Sequence, residues 1–157
     1  MIVQHIEAEF SDGLAEWLGS QCALPVMMAE RGATPEPGKI YLAGSNGHLV
    51  LLPSFQFGRQ SAQLGELHVP SVNALFLSLA KHSSPGAAVI LTGMGTDGVA
   101  GMSELQRRGW LTIAQDEGSC VVYGMPRAAL EVGAAMQSLA LPAIGPALVR
   151  HFRKYSR

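Results

Sequence analysis

Charge, cysteine and long apolar runs are what this 157-residue sequence has least of. Only 15% of its residues are charged, and eleven basic against twelve acidic side chains leave a net charge of −1. That balance excludes a dominant electrostatic attraction to nucleic acid or to an anionic membrane. Two cysteines, Cys22 and Cys120, are too few and too far apart for a disulfide framework or a metal knuckle, so they read as reduced thiols of a cytoplasmic protein. The central apolar run, residues 87–91, falls far short of the roughly 18 residues that a membrane helix needs. No basic segment followed by an apolar stretch opens the chain, so neither membrane insertion nor export is expected. What is present points to a folded domain. Apolar residues make up 48%, which excludes intrinsic disorder, and eighteen glycines with nine prolines imply many tight turns between short elements. The length fits one domain, residues 1–157.

The periodicity gives an α/β order. Residues 1–4 read as the end of a buried strand. Ser11 is placed to cap a helix bearing Leu14, Trp17 and Leu18, with Gly19 to stop it. Residues 25–29 are a short strand candidate, followed by a Gly/Pro turn region over 32–38. Two apolar runs, 40–43 and 49–52, flank Asn46-Gly47, a pair that tolerates the positive φ of hairpin turns, so the two runs are expected to pair as a β-hairpin. Residues 53–69 read as a surface loop. Ser71 then caps a helix whose Val72, Leu75, Phe76 and Leu79 share one face. Residues 87–91 form a strand of the kind buried on both faces of a parallel sheet. A glycine-rich loop, a helix with Val99, Met102 and Leu105, and a strand over 110–115 come next. Pro126 opens a further helix. A last short strand over 139–141 and a closing helix over 144–155 complete a doubly wound, mostly parallel sheet with helices on both faces and an inserted hairpin.

In such sheets ligands gather beyond the carboxyl ends of the strands. His5 and the loop Gly93-Met94-Gly95-Thr96-Asp97-Gly98 lie at such ends. The loop fits G-x-G-x-x-G, and Asp116 follows about twenty residues on, as a ribose-binding acid does, so a dinucleotide site is one alternative. Asp97 argues against it, because its carboxylate falls where a bound pyrophosphate needs the helix N-terminus. Asp97 is instead suited to orient an imidazole, with His5 the candidate, and the loop glycines leave a backbone amide such as that of Met94 open to an oxyanion. A plain helix cap is the simpler reading of Asp97. The other histidines, His48, His68, His82 and His151, share no ligand spacing and read as unremarkable.

At the level of whole motifs the sequence resembles the CheB family of chemotaxis protein-glutamate methylesterases. Val3-Gln4-His5-Ile6 is similar to that family's histidine motif, and Ile90 through Gly98, ILTGMGTDG, to its aspartate motif. GKIYLA from Gly38, GHL from Gly47, PSVNALF from Pro70, AQDEGS from Ala114 and VYGMPR from Val122 match as well. The resemblance implies hydrolysis of glutamyl methyl esters, and deamidation of glutamines, on the cytoplasmic domain of methyl-accepting chemoreceptors. It implies His5 as general base and acid, Asp97 as its orienting carboxylate, Met94 with Gly93 and Gly95 beside the oxyanion, and neither metal nor organic cofactor.

The departures set further expectations. The family nucleophile is a serine in a small-residue turn one βα unit before the histidine, and no serine here follows a strand in a comparable turn. The chain is thus expected to lack its first βα unit and the upstream receiver domain, to be inactive alone, and to fold by oligomerising or rearranging over the gap. A receptor-binding module without catalysis is the second alternative. Gly44 and Asn73 replace residues common in the family, and LAGSN from Leu42 is similar to the WspF-type branch of surface-sensing pathways.

Overall fold

The computed structural model describes residues 1–153. The chain divides into two compact units, Met1–Ser83 and Ser84–Arg157. Lys154 and Tyr155, which the sequence pattern places in the closing helix, lie outside the described residues.

The first unit holds α1 (Ser11–Gln21), β1 (Val26–Met28), β2 (Ile40–Leu42), β3 (His48–Leu51), β4 (Phe57–Gln60) and α2 (Val72–His82). β1 and β2 run parallel with Val26 opposite Ile40, and Ile2 bridges to Leu42 in parallel, so the chain start lies along the same pair. Only Ile2 carries that pairing, and Met1 is exposed, so the expected buried strand at 1–4 reduces to one bridge. α1 forms where expected, but Ser11 and Ala15 are its buried residues while Trp17 is largely exposed, and the helix runs two residues past Gly19.

The hairpin exists, with a different partner. β3 pairs antiparallel with β4, His48 opposite Gln60 and Leu51 opposite Phe57, whereas β2 pairs with β1. The turn is at 52–56, where the Phe55 amide donates to the Leu52 carbonyl and Phe55 takes a positive φ of 59°. Asn46-Gly47 therefore connects two sheets. Gly47 is needed there for close approach, since a Cβ would lie 2.9 Å from the Gln60 carbonyl oxygen. The segment read as a loop over 53–69 accordingly contains a strand. α2 matches its pattern: the Ser71 hydroxyl accepts the Ala74 amide at 3.3 Å, and Val72, Leu75, Phe76 and Leu79 are buried. It packs on β3, where the Leu51 amide donates to buried Ser78 at 2.8 Å.

The second unit is a β-α-β-α-β-α succession: β5 (Ala87–Ile90), α3 (Val99–Arg107), β6 (Leu111–Gln115), α4 (Met125–Glu131), β7 (Gln137–Leu139) and α5 (Leu141–Arg153). The sheet is parallel in the order β5-β6-β7. α3 and α4 pack against each other and both lie on β6. Ile144 and Ala147 of α5 pack with Ile113, Val89, Leu111 and Leu139, covering the other face. Burial alternates along β5, and Leu91 beyond it is exposed, so this strand is not a continuously buried run. The last strand lies two residues earlier than its pattern, and α5 starts at Leu141 rather than 144. The α/β class with parallel sheets and an added hairpin holds.

Candidate functional site

His5 follows the Ile2 bridge in the first unit. The Ile2 amide donates to the Tyr41 carbonyl at 2.7 Å and the Ala43 amide to the Ile2 carbonyl at 2.9 Å, so β2 fixes the backbone that leads to the histidine. The Ser45 hydroxyl holds the chain just beyond it, donating to the Ile6 carbonyl at 3.2 Å and sharing a hydrogen with Ser11 Oγ at 3.0 Å. Ser45 thus follows β2 and lies outside the hairpin. A cavity of about 540 Å³ opens here, lined by residues 5–8, Ser45 and residues 67–69. Within it the His5 and His68 rings stack face to face, centroids 4.3 Å apart and planes 12° from parallel. His68 read as an unremarkable loop residue; nothing local marks it, since the stack joins distant parts of the sequence.

A second histidine controls the loop that bears His68. His48, 1% exposed on β3, meets Glu66 Oε2 through Nε2 at 2.7 Å, and its Nδ1 accepts the Ser71 amide at 3.0 Å. An Nδ1 that accepts places the ring proton on Nε2, which donates to the carboxylate. Glu66 also accepts the Gln63 amide at 2.8 Å. That backbone bond first, and His48 second, hold its carboxyl below the ordinary carboxylate value.

Asp97, Met94, Gly93 and Gly95 belong to the second unit. Asp97 is buried at 8% exposure, while Met94 is 77% exposed at the loop surface. Gly98, at φ 93°, is the N-cap of α3, so Asp97 stands one position before the cap. The loop is secured by backbone bonds to a neighbouring segment. The Gly93 amide donates to the Val122 carbonyl at 3.0 Å, and the Gly124 and Met125 amides donate to the Gly93 carbonyl at 3.1 and 2.8 Å. The segments touch so closely that a Cβ on Gly124 would lie 2.6 Å from the Gly93 oxygen.

Below the loop, buried Gln115 accepts the Thr92 amide at 2.8 Å and donates to the Ser119 carbonyl at 2.7 Å. Asp116, the acid of the dinucleotide alternative, accepts the Ser119 amide and hydroxyl at 3.0 and 2.6 Å. It caps a 3-10 turn rather than facing a ribose. Both cysteines are free thiols, and among the described residues no group of three His, Cys, Asp or Glu is arranged to hold a metal. No described helix is long and apolar enough to cross a membrane.

The described serines are largely committed to such structural bonds. Ser20 donates to the Trp17 carbonyl, Ser83 to the Leu79 carbonyl and Ser103 to the Val99 carbonyl. Ser71 caps α2, and Ser78 bridges α2 and β3.

Comparison with known proteins defines the class. Residues 1–148 match the CheB methylesterase family, and the chain belongs to it. Among its relatives is protein-glutamate methylesterase/protein-glutamine glutaminase 3 of Pseudomonas savastanoi pv. phaseolicola, 44% identical over 97% of this chain and 46% of the relative. The enzyme numbered 1 of Cupriavidus pinatubonensis is 44% identical over 94% of this chain and 44% of its own length. The chain thus spans somewhat less than half of these curated relatives. In three dimensions it is similar to the CheB methylesterase catalytic domain of Thermotoga maritima, with a TM-score of 0.88 and 34% identity over 94% of this chain and 80% of that one. Family membership leaves the dinucleotide alternative without support.

Proposed function

We propose that this chain supplies the histidine and aspartate of a hydrolase that cleaves glutamyl methyl esters, and deamidates glutamines, on the cytoplasmic helical bundles of methyl-accepting chemoreceptors. Membership of the CheB family carries this reading, and the names of the relatives give the substrate class. In it, His5 takes the proton of a serine hydroxyl as that oxygen attacks the ester carbonyl. Asp97 holds the imidazole in the required tautomer and stabilises the imidazolium, and the Met94 amide, flanked by Gly93 and Gly95, faces the developing oxyanion. His5 then passes the proton to the departing methanol, and water attacks the acyl-serine by the same route in reverse. No cofactor takes part.

The serine is assigned to a βα unit outside these 157 residues, preceded in the whole protein by a receiver domain, and the protein works in the cytoplasm. The structural duties of Ser11, Ser45, Ser71 and Ser103 within the chain support that assignment. The test is methanol release from methylated receptor by a protein that joins this chain to its serine-bearing unit. Loss of turnover is expected in His5→Ala and in Asp97→Asn, and full activity in His5→Ala would end the idea. The same serine duties favour a second reading, a receptor-binding module without turnover. Esterase activity in the 157-residue chain by itself refutes that one.

A further inference from the structure

We propose that His68 is a positioning residue for His5, fixing the orientation of its ring by stacking, and that the buried His48 ring in turn fixes the segment that carries His68. The proposal rests on the reading of His5 as general base. Three observations support it. The rings of His5 and His68 lie 4.3 Å apart and nearly parallel, within a cavity that both line. Segment 67–70 lies between two residues, Glu66 and Ser71, that bond to opposite nitrogens of one imidazole, His48. Burial holds this loop only at its end, since Pro70 alone of residues 61–70 is buried while Leu64 and Leu67 are 108% and 92% exposed. A segment clipped at both ends to one immobile ring has little freedom to swing, so His68 is presented in a defined place.

A general base gains from such an arrangement. An imidazole at a cavity wall can turn about two side-chain bonds, and each turned state removes the nitrogen from the line of proton transfer. A flat neighbour lying against one ring face limits those turns while leaving both nitrogens in the ring edge open to partners. An aromatic hydrocarbon ring does this as well as an imidazole, whereas an aliphatic side chain does not.

Proton and nitrogen NMR of the 157-residue chain tests the proposal, with the His5 signals assigned by their loss in His5→Gln. In the unaltered chain the His5 ring protons are expected upfield, shifted by the current of the stacked His68 ring, with one dominant neutral tautomer. His68→Leu is expected to move them downfield and to mix the tautomers, and His68→Phe to restore both signatures. His48→Phe, which leaves His68 in place but removes the clip, is expected to act on His5 in the same direction as His68→Leu. A His5 spectrum unchanged in His68→Leu overturns the proposal, and so does a His68→Phe spectrum that matches His68→Leu. Should His68→Leu not fold, the His48→Phe and His68→Phe pair decides by the same signals. None of these readouts depends on ester hydrolysis, so failure here is distinct from failure of the proposed activity.

Discussion

Two loops serve the candidate residues, one setting His68 against His5 and the other carrying Met94 and Asp97, and they are held by opposite means. Residues 61–70 are fixed by side chains: one carboxylate and one imidazole, Glu66 and His48, with two backbone amides. Residues 93–98 are fixed by backbone: carbonyl and amide groups of Gly93 meet Val122, Gly124 and Met125 with no room for a Cβ between. The first design tolerates varied side chains along the loop but depends on an ionisable pair. The second rests on backbone bonds at Gly93 and is intolerant of a single methyl group. Each fastening therefore predicts its own weakness.

The largest effect is expected from Gly124→Ala. Its Cβ would meet a carbonyl oxygen at 2.6 Å, and backbone cannot yield as a flexible side chain does. We expect a loss of about 3 kcal/mol in urea unfolding, the upper end of ordinary overpacking costs. His48→Phe should follow, at about 2 kcal/mol, because it leaves the Ser71 amide without its acceptor. Hydrogen exchange at Ser71 should quicken while exchange at Gly124 does not change. Gln115→Ala removes the bonds to Thr92 and Ser119 and is expected to cost about 1.5 kcal/mol. It loosens the glycine loop through a neutral side chain.

Acid tests the first fastening. The folded state holds the Glu66 carboxyl below its ordinary value of 4.5, so the folded chain binds that proton more weakly than the unfolded one. The stabilisation is complete above that value and is lost as pH falls through it to the lower folded value. Amides of residues 61–70 should therefore lose protection in that window, and Glu66→Gln should abolish the loss. The smallest effect is expected at Glu104, whose surface pairs with Arg107 and Arg108 lie on α3 and its C-cap, outside both loops; Glu104→Ala should leave the urea midpoint nearly unchanged.

What the sequence made legible follows the range of the interactions. α2 and its Ser71 cap, α3 and the Pro126 helix depend on residues three or four apart, and all formed near their expected places. Strand pairing is a long-range choice. Asn46-Gly47 carries a strong local hairpin signal, yet β2 gains a parallel ladder with β1 and β3 gains β4. Trp17 fits a helical apolar stripe but is 59% exposed, because periodicity locates a face without saying what covers it.

The site divides in the same way. His5 and the glycine loop stand in contiguous motifs and were legible as candidates. The roles of His48 and His68 arise only when the chain returns to β3 and to the start of α2, so no spacing announces them.

The most direct measurement is methanol release from methylated receptor helices by this chain joined to its proposed serine-bearing unit. The account predicts turnover in that protein, with a drop of several orders of magnitude when His5 becomes alanine. Unchanged turnover without the imidazole would contradict it.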